Sequence, residues 1–255
     1  MAQQANRGSL GSASNYQRMV QAYGPPPTQG ATAVLDHPAP VAPTSARTFT
    51  ADGAFNKAGL LGVLTLTVGA VAYVANLPLG LVWPLMIVAL GAGIWASFRP
   101  QKAKVLAPVF AVTEGAVLGV ISRFYADRGQ HVVTLAVVGT LAVVVGVWFL
   151  YRTGLVRVGH RFIQTTMVAS LGLLAVMVVS ILTGWGTSGL GGLVIFGILY
   201  LFIAVMNLFV DYDFAYRAQA AQISADAEWY SAFSLLLSSA MVYLALLRIF
   251  GGGRN

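Results

Sequence analysis

The sequence predicts an all-α integral membrane protein: a seven-transmembrane-helix bundle behind a disordered N-terminal tail. Three observations carry that expectation. Seven apolar stretches of spanning length follow one another from about residue 58 to residue 250, and a helix needs roughly 20 apolar residues to cross a hydrocarbon core about 30 Å thick. The stretches are continuous rather than alternating. In lipid only helices and closed barrels satisfy their own backbone, so these are helices. Hydrophobic residues make up 57% of the 255 positions and charged residues only 9%, with a mean hydropathy of +0.75, whereas a soluble domain carries about 25% charged residues.

In chain order, residues 1–50 are rich in Ala, Pro, Gly, Ser, Thr and Gln, include Pro25-Pro26-Pro27, and show no apolar periodicity. Such a segment buries too little surface to offset its chain entropy. It reads as a cytoplasmic tail, 1–54 in the domain division, with a docking peptide around Gly24-Pro25-Pro26-Pro27 as the sharper alternative. No apolar core precedes a small-residue cleavage site, so a secretory signal is not expected. Ala51–Lys57 is an interfacial lead-in, and the transmembrane domain covers 55–251. The spans fall at Ala58–Leu77, Leu79–Ser97, Val105–Arg123, Val132–Tyr151, Gln164–Thr183, Leu190–Val210 and Tyr230–Phe250. Gly115 with Gly119, and Ala89 with Gly93, are small-xxx-small pairs that let helix backbones approach. No long internal repeat is visible, which argues against an inverted-repeat transporter. Trp83, Trp95, Trp148, Trp185 and Trp229 sit mostly near span ends, where interfacial aromatics belong.

The net charge of +7 is a topology signal rather than a nucleic-acid one. With a cytoplasmic N-terminus and seven helices, the inner side holds Arg7, Arg18, Arg47, Lys57, Arg99, Lys102, Lys104, Arg152, Arg157, Arg161 and Arg217. Only Arg123, Arg128, Arg248 and Arg254 fall outside. Eleven against four predicts N-in, C-out by the positive-inside rule. The expected partner is the lipid bilayer, with other membrane proteins as further candidates and no nucleic acid. Sequence leaves the oligomeric state open.

Several chemistries are excluded. There is no cysteine, hence no disulfide, thiolate metal site or thiol nucleophile. His37, His131 and His160 are isolated, and no GxxxxGK[ST], HExxH or GxSxG occurs. Every lysine precedes residue 105, so a retinal Schiff base on the seventh helix is impossible. Neither an enzyme nor a cofactor is expected, and whether a carboxylate site holds metal stays open.

The informative residues are the carboxylates, because an ionisable group within a span is costly and a functional suspect by default. Asp36, Asp52 and Asp127 read as solvated. Glu114 stands mid-helix in PVFAVTEGAVLG; it either locks helices together, neutral or Arg-paired, or carries a proton or cation along a cavity. Asp211 and Asp213 close helix 6 in MNLFVDYDFAYR. They lie about 200° apart around the helix, so one is expected to face inward and the other the aqueous rim. Asn207 precedes Asp211 by four residues and Arg217 follows Asp213 by four, within pairing reach. Asp226 and Glu228 open helix 7, where Ser224 is a candidate cap and the dipole favours acids. The topology also puts Glu228 on the side of Asp213, where two poorly solvated carboxylates would share a proton or recruit a divalent cation. Ser238 and Ser239 run down helix 7 to Arg248, which is placed to snorkel to the outer interface.

TEGAVLGVIS in helix 3, VDYDFAYR at the end of helix 6 and LALLRIF at the end of helix 7 resemble the motifs of the Bax inhibitor-1 (transmembrane Bax-inhibitor-motif) family, in its bacterial branch, over roughly residues 55–250. The resemblance implies a seven-helix, pH-sensitive calcium-leak channel of the bacterial inner membrane, with Ca²⁺ as transported ion. It also implies a sensor of two aspartates, one on helix 6 and one on helix 7. Asp213 matches the first; the second position falls on Ser238, where this sequence departs from the pattern. Glu228 lies ten residues earlier, about 15 Å along the helix, and cannot occupy the same depth. The expected pathway or proton switch therefore comprises Asp213, Glu114, Ser238, Asp211 and Glu228, with Arg217, Arg248 and Asn207 as stabilising partners. The alternative is a non-transporting regulatory membrane protein that binds others, such as a quality-control protease.

Overall fold

The structure, a computed structural model, describes residues 47–127, 129–183 and 190–252; the tail up to residue 46 and the 184–189 connection lie outside them. Within them seven helices follow one another: α1 (Ala51–Val74), α2 (Val82–Phe98), α3 (Ala103–Ala126), α4 (Gln130–Arg152), α5 (His160–Thr183), α6 (Leu190–Ala220) and α7 (Ala227–Gly252). Six of these are long and apolar enough to cross a bilayer, α6 from Phe196 onward, and α5 has 24 residues as well. The all-α bundle expected from hydropathy is the fold. Large apolar side chains such as Leu60, Ile87, Leu90 and Phe202 are exposed, as lipid-facing residues should be.

The ends of the helices depart from the hydropathy windows. α1 begins seven residues ahead of its apolar run because Thr50, in extended conformation, caps it by accepting from the Gly53 N–H at 3.1 Å, with Asp52 adding a favourable charge in the first turn. Residues 47–54, assigned above to the tail and lead-in, belong to the folded domain. At the other end Asn76, at φ 54°, turns the chain. The Leu77 N–H reaches the Ala72 carbonyl and the Asn76 N–H that of Tyr73, the paired bonds of a Schellman turn. Gln222, at φ 52°, ends α6 in the same way through Ala218 and Gln219.

α6 is the larger correction. It does not close at Val210 but runs ten residues further, because Ala215 and Ala218 continue its buried face against Phe49, Ile223 and Ala227. Asp211 and Asp213 are therefore interior helix residues, away from the unfavourable end of the dipole.

α7 is the central helix. It packs against α1, α3, α4 and α6 and buries residues on every side, among them Phe233, Val242, Ala245 and Leu247, the pattern of a helix apolar all round. α1 and α3 meet at backbone distance. A Cβ on Gly115 would lie 2.6 Å from the Thr65 carbonyl oxygen, and one on Gly119 would overlap the Gly69 carbonyl. The Thr65 hydroxyl donates to the Ala111 carbonyl at 3.1 Å across the same seam.

The seam sets the first prediction. Gly119→Ala should destabilise the protein by about 1–3 kcal/mol, since backbone cannot move aside as a side chain can. Gly91→Ala, where an added Cβ meets nothing within 4 Å, should be neutral or stabilising by up to about 1 kcal/mol. Thermal unfolding of both variants in one detergent compares them directly.

Candidate functional site

The polar residues of the bundle fall into three groups, each built by a different pair of elements. The first lies on the side where α1 starts. There the segment before α1 crosses the α6–α7 loop: the Phe49 N–H donates to the Ile223 carbonyl at 2.7 Å and the Ala225 N–H to the Arg47 carbonyl at 2.9 Å, a short antiparallel pairing of Thr48 with Ser224. Phe49 is buried beneath it. Glu228, in the first turn of α7, then gathers the start of α1. Its Oε1 accepts from the Thr50 N–H at 2.9 Å and the Thr50 hydroxyl at 3.0 Å, and its Oε2 from Lys57 Nζ at 2.5 Å. Gln219 of α6 accepts the Ala51 N–H at 2.7 Å. Lys57 also lies 5.2 Å from the Trp229 ring centroid.

The second group is centred on Asp213, which is 5% exposed. Its Oδ2 pairs with Arg217 Nε at 2.6 Å, and its Oδ1 accepts from the Tyr151 hydroxyl of α4 at 3.0 Å. Arg217 donates onward to the Val158 carbonyl in the α4–α5 loop at 2.8 Å. Tyr151 stacks on Tyr216, and Phe55 of α1 meets both Tyr216 and Tyr212 edge-on.

The third group runs along α6 and α7. The Ser238 hydroxyl donates to Asp211 Oδ2 at 2.5 Å. Ser234 and Ser231 lie one and two turns nearer the start of α7, and the fully buried Ser231 Oγ has no hydrogen-bond partner among the described residues. Beyond them, toward the other membrane face, Arg248 lies over the Tyr200 ring at 5.7 Å. Half-buried Glu114 of α3 is within electrostatic range of the same tyrosine.

Several expected arrangements are not the ones built. Asp211 and Asp213 do not divide between interior and rim: one turns to α7 and the other to α4, as their angular offset allows. The group facing residue 238 is Asp211, not Asp213. Glu228 and Asp213 share a side of the bundle but take separate cations, and no three of Asp, Glu, His and Cys cluster among the described residues as metal ligands would. Asn207 turns to α5, its amide donating to the Ser170 hydroxyl at 2.9 Å. Arg248 lies over the Tyr200 ring, near the outer end of α7. Sequence reasoning missed Lys57, Tyr151 and Gln219 as partners. The one available signal was Lys57 itself, a lysine just before the first span on the side assigned to Glu228.

A family model described as Bax inhibitor 1 like matches residues 3–253. The chain belongs to that family. The match begins within the tail, so membership extends beyond the 55–250 core that the motifs covered. Among curated proteins none matches the chain. As a multi-pass membrane protein of the Bax inhibitor 1 like family, it meets its environment chiefly through lipid.

The Glu228 cluster yields a prediction about this family member. Glu228→Gln should cost about 1–3 kcal/mol, the range for hydrogen bonds to a charged group. Combining it with Lys57→Met should cost less than the sum, with a coupling of about 0.5–3 kcal/mol. Unfolding of the single and double variants measures that coupling, and strictly additive losses would mean that the pair contributes nothing jointly.

Proposed function

We propose that the protein is a pH-sensitive cation leak channel with Ca²⁺ as transported ion, described here closed. The observation that carries this reading is the buried Asp213 carboxylate, held by Arg217 and Tyr151 where α4, α6 and the α4–α5 loop meet. Protonation removes the charge that Arg217 and the Tyr151 hydroxyl engage, and so weakens the latch from the acid side. Support for a path beyond it comes from the file of Ser231, Ser234 and Ser238 along α7, whose deepest member, Ser238, donates to Asp211. Glu114 lies further along, beside Tyr200. Residue 238 is a serine and faces Asp211, so the switch at Asp213 is a single aspartate. The chain is assigned no catalytic step and no cofactor, and its membrane is read as the bacterial inner membrane.

A second reading, a non-transporting regulator that binds other membrane proteins such as a quality-control protease, is favoured by a specific observation. The crevice of about 800 Å³ between α1 and α4 is lined by none of Glu114, Asp211, Asp213, Glu228 or Ser238. A bundle acting as an adaptor needs no convergence of those groups.

Calcium flux into proteoliposomes separates the two. Under the channel reading the wild type conducts more at acid than at neutral pH, while Asp213→Asn conducts equally at both; Asp127→Asn, exposed on a loop, keeps the wild-type response. Absence of flux at either pH would leave the regulatory reading.

Orientation is tested on its own. The eleven-to-four basic asymmetry supports a cytoplasmic tail and an external C-terminus. Compartment-sensitive reporters fused at residue 30 and after Asn255 should therefore report opposite sides. Reporters on the same side would overturn the proposed topology.

A further inference from the structure

Among the described residues α1 and α4 make at most a marginal contact with each other. Between them runs the crevice of about 800 Å³, backed by α3, α7 and Tyr212. Its size falls in the range of about 300–1,000 Å³ typical of ligand sites. One wall is thinned by Gly59 and Gly62 of α1, where an added Cβ would meet nothing within 4 Å, in contrast to Gly69 about two to three turns on, which packs on Gly115. The facing wall is branched aliphatic, with Val137, Leu141, Val144 and Val145 of α4, and Leu141 and Val145 are largely exposed. Along α1 the lining runs from Phe55 to Tyr73. Those 19 residues span about 27 Å at 1.5 Å per step, close to the thickness of the hydrocarbon core.

An apolar space of this kind does not hold water, and left empty it forfeits the dispersion contacts of its walls. In a bilayer the surrounding solvent is hydrocarbon chain. The two ends of the crevice carry charge. Tyr73 lines one end and has the Arg123 guanidinium 5.5 Å from its ring; Trp148 lines the other, with the Arg152 guanidinium at 5.3 Å. Arg123 has Asp127 at 4.0 Å. Arg152 is exposed and has no carboxylate partner among the described residues. An apolar slot of membrane length ending at an unneutralised guanidinium on an interfacial tryptophan is complementary to one molecule type. We infer that the crevice binds an anionic phospholipid, an acyl chain lying between α1 and α4 and the headgroup phosphate at Arg152.

The inference is independent of transport, and its test needs no flux. The full chain, purified in detergent, is melted with increasing phosphatidylglycerol or phosphatidylcholine of identical acyl chains. A ligand of the folded state raises Tm with its concentration. Phosphatidylglycerol should raise the Tm of the wild type more than phosphatidylcholine does. Arg152→Gln should bring the two lipids to the same shift, and Gly62→Leu, which fills the slot, should abolish the shift for both. Should Gly62→Leu fail to fold, Leu141→Trp fills the crevice from the opposite wall. A phosphatidylglycerol carrying a photoreactive acyl chain should label α1 and α4 at the lining positions, and this labelling should vanish in the filled variants. Equal shifts from both lipids in the wild type, a full lipid shift in the filled variants, or labelling spread evenly over the outer helix surfaces would each overturn the assignment. So would occupation by a second copy of the chain, seen as a dimer that the filled variants dissociate without any lipid-dependent Tm.

Discussion

The carboxylate of Glu228 joins the two ends of this fold. It takes two donors from Thr50 and one from Lys57, residues more than 170 positions earlier in the chain, and so fixes the start of the first helix to the start of the last. Because α7 is the helix around which α1, α3, α4 and α6 pack, anchoring its first turn orients the bundle axis. Loss of the carboxylate would leave the Lys57 ammonium half-buried beside Trp229 and return the Thr50 N–H to the pool of unsatisfied donors at a helix start. The neighbouring contacts converge on the same point: the Arg47–Thr50 strap is bonded to the α6–α7 loop through Ile223 and Ala225 and leads directly into Thr50.

Polar groups elsewhere in the bundle obey a shared constraint. Hydrocarbon offers no hydrogen-bond partners, so a polar group is stabilised by one on a neighbouring helix or on its own preceding turn, the Ser231 hydroxyl being the exception among the described residues. Thr67, Thr113, Thr140 and Ser239 use the preceding turn, donating to carbonyls three or four residues back. Asn207, Asp211, Asp213 and Tyr212 look outward, to Ser170, Ser238, Tyr151 and the Val144 carbonyl respectively. One face-to-face stretch of α6 thus specifies its position against α5, α7 and α4 at once. Packing by alanine and glycine alone would leave those registers weakly specified.

The spans were legible because membrane insertion is read from local hydropathy, and Ala58, Val105 or Tyr230 needs no knowledge of its neighbours to be placed in lipid. The motifs TEGAVLGVIS and VDYDFAYR carried the family for a similar reason, being short and contiguous. Helix ends were less legible. Thr50 is an ordinary cap, but its apolar run starts seven residues later, while Asn76 and Gln222 adopt a left-handed turn more often signalled by glycine. The polar extension of α6 to Ala220 depends on Phe49, a residue the composition of the tail concealed. Partner choice was the least legible of all. Angular offset showed that Asp211 and Asp213 point apart, yet which of them meets residue 238 follows from how α6 rotates against α7, a tertiary quantity.

The latch at Asp213 has a mechanical property that follows from its spacing. A carboxylate and a guanidinium four residues apart on one helix travel together, so breaking that bond does no work on α6, which behaves as a rigid rod between Tyr200 and Ala218. Among the described residues, the pair is hydrogen-bonded to other elements through the Tyr151 hydroxyl and the Val158 carbonyl. Between these two lies Gly154, at φ 72°, a joint with little torsional resistance. Of the parts tied to Asp213, the α4–α5 corner is the compliant one. It would swing as a lever about Gly154 while the helices stay in place.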